Sequence, residues 1–495
     1  MRRRNLIAVT ASLAMLCTAA GTVAAQPAPA PTAPAVGTAP TPPRPSPEPA
    51  PEPSPAPASP QSTTPAPGPV PEAAPPKPEV EPQTPAPGQV FNGFVVGSLN
   101  GATAASPQEN FQALMADDPF YQEPKLTGSE KPGQVLKAKK VDVMFLGVKP
   151  ANLDAWKLMY VTTGLDGKAP VISTGIMMVP RDGKPAGEKK VVSYQEANDS
   201  VGWSCHPSTQ WTGGDPLDGS SWSALGPLGM MFDKGYAVMI SDVGNDGDRK
   251  PHGVFAGKSA AHAQLDGVRA ALSQREAGLN PKAQVSLFGI AGGGVGAAVS
   301  SEIQPDYAPE LDVKSTVLEG MVVNQRNFMR IADGSVGSGF AFATLLGLEP
   351  YYPEMKLDEK LNPLGKQVAD VFRTQCQTPA YFGMPMVPLK ALFKSGQSPA
   401  EEPAFQHVFD DNELGKSGTP KSKVLISSCA ADDSPMSLVP AADARHLADT
   451  YRSRGTDVTY KPTDCSMPRM LGDLYGWGTD LFGMQTIDWM DSKFD

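Results

Sequence analysis

Apolar residues come in short bursts along most of this chain, separated by polar or Gly/Pro-rich stretches. Residues 141–146, 156–162, 171–179 and 191–194 alternate or run apolar in the manner of β-strands. Residues 236–240 add an apolar run closed by Ser241-Asp242, and 285–290, 315–319, 424–428 and 458–460 are further strand candidates. Between them, 260–274 sets Leu265, Val268, Ala271 and Leu272 at helical spacing, 293–303 reads as a helix of small residues, and Trp489-Met490 belongs to a closing helix. Strands alternating with helices predict an α/β architecture, a mostly parallel sheet with helices on both faces.

From residue 321 to about 420 the alternation breaks. This block is punctuated by Gly and Pro, helical only in short pieces, and rich in Phe, Leu, Met and Tyr; 340–346 and 382–389 are its most apolar parts. It is expected to be a helical cap inserted over the C-terminal edge of the sheet, splitting the core into 89–320 and 421–495. The competing reading is a second small domain with its own core.

The N-terminus has a different composition. Arg2-Arg3-Arg4, an apolar run from Leu6 to Cys17 and the small residues Val23-Ala24-Ala25 read as a signal peptide cleaved after Ala25. Residues 26–88 are Pro, Ala, Glu, Ser and Thr with almost no large apolar side chain, so they cannot bury enough surface to offset the entropy of ordering. An extended, disordered linker is expected, reaching at most about 150–200 Å. It serves either as a spacer across a cell-wall layer or as a plain connector. Export to the medium or the cell envelope follows from the leader.

The net charge of −10, with no basic run past the N-terminus, argues against nucleic acid as a partner. No apolar run past the leader is long enough for a transmembrane helix. Once Cys17 leaves with the leader, Cys205, Cys376, Cys429 and Cys465 remain, an even number in an exported chain, which favours two disulfides; four cysteines allow three pairings. Their spacing suits no zinc site, and nothing calls for a cofactor. Asp242, Asp246 and Asp248 fit no EF-hand spacing and read as a solvated acidic turn.

The chemistry-bearing stretch is Gly289-Ile290-Ala291-Gly292-Gly293, between the strand at 285–290 and the small-residue helix. That is the layout of a nucleophile elbow, in which Gly-x-Ser-x-Gly lifts a serine hydroxyl out of a sharp strand-to-helix turn. The central position here is alanine, which has no group to attack a carbonyl.

From about Phe120 to the C-terminus the chain resembles the secretory lipases of the yeast lipase A type. The resemblance rests on Phe120-Tyr121 with Pro124, on Tyr194-Gln195 with Asp199 and Cys205-His206-Pro207-Ser208, on 235–242, on 265–271, and on Asp306-Tyr307-Ala308-Pro309-Glu310-Leu311. It implies an α/β-hydrolase fold with a helical cap that forms an acyl-binding tunnel, hence a lipid or acyl ligand. The family's nucleophile falls on Ala291. Its acid falls on Asp433 or the neighbouring Asp432, with Asp433 favoured, and its oxyanion hole on Asp199 and the Gly292 N–H. Its histidine should lie within 461–468, where none occurs. A family disulfide falls on Cys205 and Cys376, which leaves Cys429 to pair with Cys465.

A triad needs an imidazole to take the serine proton and a carboxylate to orient the imidazole. Loss of the nucleophile alone costs about 10⁶ in kcat in a serine protease, and what survives amounts to about 10³–10⁴ over water. A relocated site finds little support. Ser335 and Ser338 lie in a Gly-rich loop at the cap's entry, His206, His252 and His262 have no serine elbow near them in sequence, and His446 precedes the last strand. The expectation is an exported lipase-like protein without catalysis that keeps a lipid-binding or envelope-scaffold role. The alternative is an active lipase or esterase with a non-standard site.

Overall fold

The computed structural model describes residues 103–106, 118–144, 148–150, 152–198, 200–202, 204–215, 218–244, 251–253, 255–376, 383–432, 437–466 and 486–494. The expected signal peptide and Pro/Ala-rich linker lie outside the described residues, as do Asp199, Asp246, Asp248 and Asp433.

Nine strands form one sheet: β1 (Val135–Val141), β2 (Leu153–Thr163), β3 (Pro170–Pro180), β4 (Val191–Gln195), β5 (Ala237–Ser241), β6 (Val285–Ile290), β7 (Val313–Glu319), β8 (Lys423–Cys429) and β9 (Val458–Thr463). Their order is β9-β8-β7-β6-β4-β5-β3-β2-β1. From β5 to β9 every pairing is parallel, and β1, β2 and β3 close the other edge antiparallel. The parallel strands β4, β5 and β6 are buried at every position, which is why they read as continuous apolar runs rather than alternating ones.

The first strand corrects the sequence reading, which placed it at 141–146. The observed β1 ends at Val141 and contains Lys137, Lys139 and Lys140 on a half-exposed edge. Edge strands carry lysines to block pairing with another chain, and those charges hide the strand from a search for apolar runs.

Helices α1 (Gly219–Asp233), α2 (Gly257–Ser273), α3 (Ala291–Tyr307), α8 (Ala441–Ser453) and α9 (Ile487–Asp491) accompany the sheet. Sequence pattern offers no signal for α1, whose Gly and Ser residues and internal Pro227 blur its period. Helices α2 and α3 approach closely because Gly296 faces Ala260, where an added Cβ would stand 2.9 Å from the Ala260 Cβ. No helix among the described residues is long and apolar enough to cross a membrane.

Between β7 and β8 the chain forms α4 (Gln325–Ala332), α5 (Ser338–Leu348), α6 (Pro363–Thr374) and α7 (Pro403–Asp411), with one-turn pieces between them. The apolar residues of this block do not form a separate core. Phe328, Phe342, Leu345, Phe372 and Phe405 share one buried cluster with Phe255 ahead of α2, Val295 and Val299 of α3, and Ile426 of β8. Glu302 of α3 staples the block's exit: its carboxylate accepts the Gly415 and Ser417 N–H groups at 2.7 Å each and the Tyr451 hydroxyl at 2.6 Å.

A strand-to-helix elbow built around Ala291

Strand β6 ends at Ile290 and helix α3 begins at the next residue, with no loop between them. A turn this sharp requires a left-handed residue at its apex. Ala291 supplies it at φ 49°, one of four non-glycine residues with positive φ among those described. Such a conformation costs an L-residue about 1–2 kcal/mol.

The flanking glycines are fixed by contact. An added Cβ on Gly289 would lie 2.5 Å from the Ala297 Cβ and 2.7 Å from the Gly293 carbonyl oxygen. On Gly293 it would lie 2.4 Å from the Glu196 carbonyl oxygen and 2.5 Å from that of Gln195. Thus the Gly-x-Ala-x-Gly spacing lets the segment leaving β4 run against the first turn of α3. Asp199, three residues beyond Glu196, lies outside the described residues, but its neighbours are firmly held. Asn198 Oδ1 accepts the Ser200 N–H at 2.9 Å, and the Ser200 hydroxyl donates to Asp218 at 3.1 Å. Gly292 is buried in the first turn of α3.

On the other side of the elbow, β7 places Glu319 beside Ile290 and Ser427 in the sheet register. Strands β8 and β9 end side by side at Cys429 and Thr463. Disulfides join Cys205 to Cys376 and Cys429 to Cys465, as the resemblance implied. The second joins the last residue of β8 to the segment that follows β9. Asp432 turns toward α8, where one carboxylate oxygen accepts the Ala441 N–H at 2.7 Å. Past β9, Asp464 is exposed, and the Ser466 N–H donates to its carboxylate at 2.9 Å.

The neighbourhood is acidic and buried. Glu196, Asp218, Asp242 and Glu319 are all buried. Burial pushes the Glu196 carboxyl up to about 8, against the Trp211 indole N–H donated to it at 2.9 Å, and the charges of Asp218 and Asp242 add to the rise. The Tyr194 phenol is also pushed up, by burial and by Glu196 and Glu319. Sequence reasoning missed these four acids as a group. The available signal was a carboxylate at the end of an otherwise apolar strand, at 196, 242 and 319.

Asp242 corrects the expectation of a solvated acidic turn. It is fully buried, accepts the Ser208 N–H at 2.8 Å, and takes the hydroxyls of Ser208 and Thr174 at 2.5 Å each. No group of three or more potential metal ligands occurs among the described residues.

Of the residues considered for a relocated site, His206 and His252 pack on each other, while the serine hydroxyls are spent on backbone carbonyls. The Ser338 hydroxyl donates to the carbonyls of Ala332 and Ser335, and the Ser335 hydroxyl to that of Ala332. His262 sets Nδ1 3.1 Å from the Gly164 carbonyl and its ring 4.6 Å from that of Tyr307, which belongs to a different apolar cluster from the one Ala291 packs on. His446 is exposed on α8.

A parallel sheet with this strand order and an elbow at the end of β6 defines an α/β-hydrolase fold. Among solved structures the chain is similar to Candida antarctica lipase A in its closed state, with a TM-score of 0.61, 23% identity and coverage of 77% of this chain and 88% of that one. It is also similar to the rice cell wall degrading esterase LipA from Xanthomonas oryzae, with a TM-score of 0.57, 17% identity and coverage of 74% and 100%. The sequence model of the secretory lipase family matches residues 227–495, and the chain belongs to that family. Two relatives bear on its function. One, named "Probable inactive lipase MT1628", from Mycobacterium tuberculosis (strain CDC 1551 / Oshkosh), is 30% identical over 382 residues, 74% of this chain and 82% of that protein. The other, "Secreted triacylglycerol lipase LIP7" from Malassezia globosa, is 28% identical over 355 residues, covering 70% and 73%.

Proposed function

We propose that this protein is an exported secretory-lipase homologue that has lost acyl transfer and keeps the lipase frame to bind an acyl lipid or to act as an envelope scaffold. The observation that carries the reading is the conformation of Ala291. The chain holds a strained elbow, with both flanking glycines packed against backbone, around a side chain that offers no nucleophile. Ala291 takes the nucleophile position, Gly292 one arm of the oxyanion hole and Asp199 the other. Asp433 or Asp432 takes the acid position, and the bond from Asp432 to the start of α8 favours Asp433 for that place. No histidine is available after β9 to take a proton.

The similarity to proteins named as secreted lipases supports export, and the similarity to one named "Probable inactive lipase" supports loss of catalysis. The block between β7 and β8 acts in this reading as the cap. Its shared buried cluster with α2 and α3 supports the cap over a separate domain.

The test is esterase turnover by the purified protein on p-nitrophenyl esters of short and long acyl chains, with mass spectrometry of lipid extracted from the same preparation. No turnover above buffer, together with a co-purifying acyl lipid, is the expected result. Turnover abolished by Asp199→Ala or Asp433→Ala, or a fluorophosphonate adduct on any side chain, would overturn it. Neither turnover nor lipid would leave the scaffold arm of the reading standing alone.

A further inference from the structure

Two buried histidines meet at the seam between the sheet and the helical block. His206 precedes the one-turn helix Pro207–Gln210 and follows Cys205, and His252 lies on the segment leading to α2. Each is about 1% exposed, and their rings pack edge to face with centroids 4.9 Å apart.

The fasteners between block and sheet gather around this pair. The Cys205–Cys376 disulfide adjoins His206. The Tyr351 hydroxyl of the block donates to the Val243 carbonyl at 3.2 Å, just past β5. Gly347 of α5 packs on the backbone of His252, where an added Cβ would stand 3.2 Å from the carbonyl oxygen. Gly253 admits the Tyr351 ring, which a Cβ there would meet at 2.3–2.4 Å. Val243 itself is held at φ 51°, an outlying conformation for a β-branched residue.

Neither ring nitrogen of His252 has a partner in hydrogen-bond geometry among the described residues. A neutral imidazole always carries one N–H, and a protonated ring would bury two along with the charge. Burial, with His206 adding to it, holds the His252 pKa well below the ordinary 6.5, and the nearby backbone of Asp242 and Ser200 only partly opposes it. The titratable groups that face the ring are His206, the Asp242 carboxylate at the end of β5, which is engaged by Ser208 and Thr174, and the Tyr351 phenol from the block.

We propose that the His206–His252 pair is an acid-sensitive latch: with both rings neutral it clamps the helical block to the sheet, and uptake of a proton from solvent opens the seam while the Cys205–Cys376 disulfide keeps the block tethered. The opened state exposes His252 to water and restores its ordinary affinity for a proton, whereas the closed state excludes the proton. Opening is therefore favoured as pH falls below about 6.5, by about ten-fold per pH unit for one histidine. The latch needs no ligand in the acyl site, so it stands or falls separately from the proposed function.

The test is hydrogen exchange of the full chain, read by mass spectrometry from about pH 7.5 to about pH 5 and corrected for the intrinsic rate, alongside ¹⁵N-histidine NMR over the same range. Helix α5 and the peptide containing His252 should open about ten-fold more per pH unit below about 6.5, while β6 and β7 keep their protection. The dependence should flatten in His252→Phe. Opening of α5 that is independent of pH, or that persists unchanged in His252→Phe, would overturn the latch, as would loss of protection in block and sheet together. Should His252→Phe fail to fold, the wild-type NMR decides. A His252 ring that stays neutral while α5 opens refutes the proposal, and one that protonates in step with opening supports it.

Discussion

At the scale of single residues, the elbow separates what the backbone needs from what chemistry needs. Ala291 meets the first and not the second. Ala291→Ser should fold as the parent does, within about 0.5 kcal/mol by urea denaturation, because one hydroxyl is added at a half-exposed position without changing φ. It should also fail to react with a fluorophosphonate, since no imidazole follows β9 to take the hydroxyl proton. Labelling of the introduced hydroxyl in that variant would show a base near the elbow and defeat the inactive reading. The glycines make the complementary point. Gly293→Ala drives a Cβ into two backbone carbonyls and should cost about 2–4 kcal/mol, whereas Gly128→Ala, with nothing within 4 Å, carries only the left-handed cost of about 1 kcal/mol. Equal effects in denaturation would mean that the β4 exit does not lie against α3.

Among the elements, legibility followed burial. Strands β4, β5 and β6 were plain in the sequence because both faces are covered, and the elbow could be read because three constraints fall on five residues. Strand β1 was displaced because its lysines face solvent, and α1 was missed because Gly, Ser and Pro227 give it no clear period. The buried acids were individually visible but could not be seen to converge, since β4, β5 and β7 are brought together only by sheet order. The disulfide partners came from family resemblance, and the structure joins both pairs. The Cys429–Cys465 bridge spans 36 residues and ties the end of β8 to the segment after β9, so its removal as a Cys→Ala pair should cost about 2–4 kcal/mol. Thermal unfolding by circular dichroism measures this. Because neither loop carries a working triad in the proposed function, the ligand-binding side of the molecule should survive that loss better than the stability does.

For the whole molecule, Glu196, His252 and Asp118 each contribute to the response to pH, and their signs differ. Glu196 has a folded pKa near 8 against 4.5 for the free group, so the native state holds a proton that the unfolded chain releases. Its contribution is complete below about 4.5 and is lost as pH rises toward 8, with a slope of at most about 1.4 kcal/mol per unit. His252 runs the other way. Its depressed pKa makes the unfolded chain the better proton binder, so stability is lost as pH falls below 6.5. Partial burial alone would raise the Asp118 pKa, but the Phe120 N–H, Lys139 and Lys157 together outweigh it and hold the carboxyl down to about 2. Its contribution is therefore present above its ordinary 3.8 and is lost as pH falls from there toward 2. The Glu196 and His252 contributions therefore oppose each other between about pH 4.5 and 6.5, the Glu196 loss runs unopposed from about pH 6.5 to about 8, and the Asp118 loss comes below about pH 4. Urea melts between about pH 3 and about pH 9 would show it. Glu196→Gln should weaken the decline from about pH 6.5 to about 8 and expose the His252 loss below pH 6.5, since the amide keeps an acceptor for the Trp211 indole without a proton to lose. Asp118→Asn should reduce the loss below about pH 4, which Asp182 and Asp411 share, and leave the His252 loss in place. A decline from about pH 6.5 to about 8 that is unchanged in Glu196→Gln would mean that the carboxyl beside the elbow is ionised in the native protein.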